Sequence, residues 1–160
     1  MKTFFYFLLL STSLFSCTNS GNTNSKEISS ESNKFDAELA KKLNADNYGM
    51  KTYVMAFLKR GPNRSQDSIT AANLQRSHLE NITKLANAGK LVLAGPFLDT
   101  GDLRGIYIFD VATIEEAKKL TETDPAIQQG SLVMELKLWY GSAALLQINE
   151  IHKKIAKIEI

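Results

Sequence analysis

At 160 residues, with 44% hydrophobic, 9% aromatic and 22% charged side chains, the chain has the composition of one modest globular domain with appendages. Nineteen basic residues against 17 acidic ones give a formal charge of +2, and the two signs are interspersed, which argues against a nucleic-acid partner. A single cysteine excludes an internal disulfide and the usual thiolate zinc sites, and two histidines far apart in sequence leave no metal centre to expect.

The N-terminus carries Lys2 and then an apolar or small run, "TFFYFLLLSTSLFS", from Thr3 to Ser16. It is too short to span a bilayer and reads as the hydrophobic region of a secretory signal. The run ends in Leu14-Phe15-Ser16-Cys17, which resembles the bacterial lipobox. That resemblance implies cleavage before Cys17 and acylation of its thiol and new amino group, several acyl chains together giving a lasting membrane anchor. The alternative is a plain signal peptide with a chance cysteine. Residues 17–34 are rich in Ser and Asn and nearly devoid of large apolar side chains, so they are expected to be a flexible tether between 1–16, the signal, and 35–160, the domain. The expected location is the bacterial cell envelope, lipid-anchored and outside the cytoplasm. Thr18 after Cys17, where an Asp would be associated with inner-membrane retention, favours the outer membrane in a cell that has two.

Phe35, Leu39 and Leu43 stand four apart, as on a short amphipathic helix ended near Asn47 to Gly49. "KTYVMAFL", Lys51 to Leu58, is a β-branched and aromatic run stopped by Gly61-Pro62, hence a strand. After a polar loop, Asp67 or Ser68 can cap a helix that runs to Ala88, with Gly89 as its stop. "KLVLAGPFLD" predicts a second strand, broken at Gly95-Pro96, and "RGIYIFDV" a third. Thr113 caps a helix over "TIEEAKKLTET", "DPAIQQG" is a helical turn or loop, and "SLVMELKLWY" is a fourth strand with Leu132, Met134, Leu136 and Leu138 alternating. A longer helix is expected over 142–158, its apolar stripe packed on the domain; the alternative, with Lys153, Lys154 and Lys157 on its polar side, is that it lies on a membrane surface. From about 51 to 140 the order strand, helix, strand, strand, helix, strand is that of a ferredoxin-like α+β fold: an antiparallel βαββαβ sheet with helices on one face. A second copy laid sheet against sheet is the simplest cover for the other face, giving a homodimer shaped as an α/β barrel.

No dinucleotide or P-loop fingerprint is present. His78 lies between Leu74 and Ile82 on the inward stripe of its helix. It is either a histidine whose ring nitrogens are satisfied in the core or a proton donor and acceptor in a shielded setting. Asp124 before Pro125 fits an N-cap with Pro at the first helical position; it can also orient a histidine. Gly95-Pro96 either ends a strand or offers backbone that a ligand can approach closely. Lys59, Arg60 and Arg64 around "RGPNRS" are either a solvated basic loop or the holder of an anionic substrate group.

"SHLENITKLANAGKLVLAGPF", then a strand, then "TIEEAKKLTETDPAIQQGSL" and a strand ending in "LWYG" resemble the YCII-related domain family over about Tyr53 to Tyr140. The matching positions are His78, Gly89, Gly95, Pro96, Glu116, Ala117, Asp124, Pro125 and Gly130. The resemblance implies a dimeric α/β barrel of the muconolactone isomerase kind, with His78 and Asp124 as the active pair. Arg60, Gly95, Pro96 and Phe97 are then the expected substrate-binding residues. The reaction to expect is proton transfer, isomerisation or elimination on a small cyclic or aromatic molecule, without a cofactor. A non-catalytic binding or interaction role in the envelope is the rival expectation.

Overall fold

The computed structural model describes residues 34–158. The expected signal segment 1–16, the lipidation site Cys17 and the tether as far as residue 33 lie outside the described residues. Residues Phe35–Ile160 form a compact unit of their own.

Its elements are α1 (Ala37–Lys42), β1 (Met50–Arg60), α2 (Ser68–Asn87), β2 (Leu91–Pro96), β3 (Leu103–Phe109), α3 (Ile114–Thr121), α4 (Pro125–Gln128), β4 (Leu132–Ser142), a 3₁₀ turn (Ala143–Gln147) and α5 (Ile148–Ile155). The strands form one four-stranded sheet, order β2-β3-β1-β4, with β1 antiparallel to both β3 and β4, and β2 antiparallel to β3. This is the α+β, ferredoxin-like arrangement that the element order predicts.

Short-range chemistry sets the helix ends. Asp67, not Ser68, caps α2: its Oδ1 accepts from the amides of Ile69 and Thr70 at 2.9 and 3.0 Å. Thr113 Oγ1 accepts from the Glu116 amide at 3.1 Å to open α3. Gly89, at φ +68°, takes the left-handed conformation that stops α2.

Side-chain alternation divides the sheet into two faces. Val54, Ala56, Leu58, Tyr107 and Phe109 point to the first, where they meet Leu85 of α2 and Ala117 of α3, with Ile82 and Leu120 at the margin. Tyr53, Val92 and Ile108 point to the second, with Met55, Leu93 and Trp139. The second face is not left wholly to another molecule, because Leu145 and Leu146 of the 3₁₀ turn pack on it.

The C-terminus departs from expectation. In place of one helix over 142–158, β4 continues to Ser142, which still pairs with Met50, and the Ala143 amide donates to the Gly49 carbonyl at 2.9 Å. Backbone pairing with β1 thus outcompetes local helix propensity until the chain passes the sheet edge, leaving a 3₁₀ turn and an eight-residue α5. The apolar stripe expected to pack is divided: Leu145 is half-buried, whereas Ile151 and Ile155 are 53% and 75% exposed.

Candidate active site

α2 carries His78 inward one turn before Ile82, and Asp124 is the N-cap of α4 after the short link from α3. The two side chains meet across these elements, His78 Nδ1 lying 2.7 Å from Asp124 Oδ2. Both are buried: Asp124 is fully enclosed and His78 is 8% exposed.

The cap and dyad readings of Asp124 are both satisfied, by different oxygens. Oδ1 accepts from the Ala126 amide at 2.9 Å, which with Pro125 at the first position starts α4. Oδ2 is left for the imidazole. A carboxylate only accepts, so the nitrogen facing it must carry hydrogen, and Nε2 of neutral His78 is then an acceptor.

Nε2 has its own partner. The Tyr107 hydroxyl stands 3.3 Å away, with the two rings stacked at 6.2 Å between centroids. Burial, and then the charge of Asp124, push the Tyr107 phenol far above its ordinary range, so it stays protonated and donates to Nε2. The phenol can also accept from Nε2–H, so either charge state of the imidazole keeps both nitrogens partnered. Among the described residues no buried side-chain polar atom lacks a partner.

A second tie holds the same junction. Thr123 Oγ1 donates to Asn81 Oδ1 at 3.0 Å, one helical turn along α2 from His78. The loop after β1 closes on the other side of α4: the amides of Gly61 and Asn63 donate to the carbonyls of Ser131 and Gly130 at 2.9 and 3.0 Å. Gly61 is required there, because a Cβ would stand 2.2 Å from the Gly130 carbonyl oxygen.

Among the described residues none of Arg60, Gly95, Pro96 and Phe97 hydrogen-bonds to His78 or Asp124. Arg60 donates to the Thr100 carbonyl at 3.3 Å and its Nε lies 3.9 Å from Asp102, so it serves the β2–β3 loop. Lys59 pairs with Glu135, and Arg64 donates to the Ser131 carbonyl at 3.3 Å, so the three basic residues do not converge on one anion site. Gly95 pairs with Ile106 and Pro96 with Gly105, next to the Ala94 and Tyr107 pair. Alternation turns Pro96 to the same face as Tyr107 and Gly95 to the opposite one. A Cβ at Gly95 would meet open space, which keeps its backbone approachable. Phe97 follows at 39% exposure. Two open clefts lie elsewhere, one of about 770 Å³ around Asp46, Lys51, Asp110 and Tyr140, the other of about 420 Å³ between α3 and β4. Neither is lined by His78 or Asp124.

Tyr107 is the member of this cluster that sequence reasoning missed. A phenol alternating with Phe109 on the core face of a strand looks like packing alone. The available signal was its hydroxyl, since a buried tyrosine needs a polar partner and few are on offer.

The YCII-related domain matches residues 52–140. An uncharacterized protein, YjpA, of Bacillus subtilis (strain 168) is 33% identical over 63 residues, which cover 39% of this chain and 71% of that protein. A solved structure of 5-chloro-2-hydroxyhydroquinone dehydrochlorinase (TftG) from Burkholderia phenoliruptrix AC1100, in complex with 2,5-dihydroxybenzoquinone, is 19% identical. It aligns with a TM-score of 0.41 over 54% of this chain and 92% of that one.

Proposed function

The chain belongs to the YCII-related domain family, and on that premise we propose that its domain is a cofactor-independent enzyme in which His78 moves a proton on a small cyclic, enolisable or aromatic molecule. The observation that carries this reading is the buried 2.7 Å contact between His78 Nδ1 and Asp124 Oδ2. Asp124 holds the ring and offsets the charge of the imidazolium, as a carboxylate partner does in other acid/base pairs. Nε2 takes a proton from carbon beside a carbonyl, and the electron pair of that C–H bond moves into an enolate. In isomerisation the same proton returns to a different carbon; in elimination the pair forms a C=C bond as the leaving group departs with its own electrons. Tyr107 donates to Nε2 at rest, so substrate takes the place of that hydrogen bond. Substrate contacts in this reading are Pro96, which shares the sheet face of Tyr107, with the backbone of Gly95 and Phe97 next along the chain and Arg60 on the β2–β3 loop. The chain is anchored to the bacterial envelope through lipid on Cys17, residues 17–34 tether the domain, and two copies pair through their sheets as a homodimer.

The second reading is a binding or interaction protein without chemistry. The closed cluster favours it, because every buried polar atom there is already satisfied. A small-molecule binding screen, followed by product analysis of each hit, separates the two. The catalytic reading expects conversion that His78→Gln abolishes while ligand binding persists; binding without chemical change, alike in both proteins, supports the alternative. Light scattering at micromolar concentration tests the pairing, and a monomer would refute it.

A further inference from the structure

α5 is held to the domain by its first turn and the residues just before it, not by its later isoleucines. Leu145 and Leu146 just before it pack on the second sheet face, and Asn149 Nδ2 donates to the Leu91 carbonyl at 3.0 Å on the edge strand β2. Ile148 is half-buried beside them. Ile151 and Ile155, one turn apart on α5, are instead 53% and 75% exposed, and Ile158 just beyond is 81% exposed. Three β-branched side chains in one short stretch therefore leave most of their apolar surface to water. Lys153, Lys154 and Lys157 stand among them, all exposed, against two acidic residues in the sequence there, Glu150 and Glu159.

We infer that α5 is a membrane-surface contact, laying Ile151, Ile155 and Ile158 into the interface of an anionic bilayer while the three lysines meet lipid phosphates. Apolar side chains beside long cationic ones suit that setting, because the aliphatic stems run along the interface and the ammonium groups reach the headgroups. The same lysines disfavour a second copy on this patch, since two such helices would bring like charges together. Anionic headgroups supply the opposite sign and attract each lysine within a Debye length of the surface. The contact does not depend on acylation of Cys17. Where the anchor is present, its 18-residue tether spans at most ~65 Å at 3.3–3.6 Å per residue, so a weak surface contact acts at high effective concentration.

The test uses residues 18–160, which lack the signal and the lipid-bearing cysteine and retain the whole compact unit from Phe35 onward. Sedimentation is measured with vesicles of phosphatidylcholine containing about a third phosphatidylglycerol, and with phosphatidylcholine alone. Binding is expected to the anionic vesicles, to weaken about tenfold or more in Ile151→Asp/Ile155→Asp, and to fall in about 0.5 M salt and in Lys153→Glu/Lys154→Glu/Lys157→Glu. All substituted side chains are exposed, so unchanged circular dichroism certifies the fold. Absence of sedimentation with anionic vesicles overturns the inference. So does binding that the isoleucine variant leaves unchanged, or a change in oligomeric state in that variant without a change in vesicle binding, which would assign the patch to a second copy.

Discussion

Replacing Asp124 by alanine removes two interactions at once, one from each carboxylate oxygen. Oδ1 caps α4 through the Ala126 amide at 2.9 Å, and loss of such a cap costs ~1 kcal/mol. Oδ2 is the partner of His78 Nδ1 at 2.7 Å, and leaving that buried donor unsatisfied costs ~1–3 kcal/mol. Asp124→Ala should therefore lose ~2–4 kcal/mol. Asp124→Asn keeps an oxygen for the cap but presents an amide to the imidazole, so His78 must change tautomer and donate from Nε2 to Tyr107. It should cost ~1–2 kcal/mol, the difference between a charged and a neutral hydrogen bond. Urea unfolding followed by the fluorescence of the single tryptophan, Trp139, measures both. At a slope of ~2 kcal/mol/M the alanine variant should shift its midpoint by ~1–2 M and the asparagine variant by ~0.5–1 M. Equal, small shifts in both variants would refute the division of labour between the two oxygens.

Three further outcomes follow from named contacts. Burial, then the charge of Asp110, pushes the Tyr53 phenol up to about 12, and Tyr107 is raised as well. Phenols of the unfolded chain ionise near ~10, so above that pH the unfolded state holds fewer protons and stability should fall as pH rises from ~10 to 12. Tyr53→Phe should shrink that alkaline loss in urea midpoints taken across the range, and an unchanged slope would contradict the burial argument. Gly61→Ala places a Cβ 2.2 Å from backbone oxygen of Gly130, and should cost ~2 kcal/mol or more by denaturant titration; wild-type stability would show that this loop is not held as described. Tyr107→Phe leaves the ring packing on Phe109 at 5.8 Å but strips Nε2 of its partner. The imidazole nitrogen-15 resonance of Nε2 should move while that of Nδ1 stays, and movement at neither would remove Tyr107 from the cluster.

The sheet was legible because each strand announces itself by β-branched or aromatic residues between glycine, proline and polar stops. Position on a helical stripe likewise marked His78 as inward, and Asp-Pro marked Asp124 as a cap, but neither periodicity nor capping rules state that α2 and α4 meet. That contact depends on packing across 46 positions of chain, which local pattern does not encode. Tyr107 was hidden for a related reason: its alternation with Phe109 satisfies the strand pattern, and nothing local shows that its hydroxyl reaches an imidazole. The C-terminal residues were misjudged in extent because "SAALLQINEIHKKI" has helical periodicity throughout, while tertiary pairing of β4 with β1 claims its start. Arg60 and its basic neighbours formed a cluster in sequence only, since each side chain turns to a different partner.

The central claim is that Nε2 of His78 exchanges protons with carbon. Deuterium uptake from D₂O into a panel of cyclic diketones and other enolisable cyclic ketones, followed by proton NMR, tests it on compounds chosen only for an acidic C–H beside a carbonyl. Uptake at an enolisable carbon is expected for at least one compound with the wild-type protein, falling to the solvent rate with His78→Gln. Equal uptake with both folded proteins, or wild-type uptake no faster than solvent for every compound that binds, would contradict it.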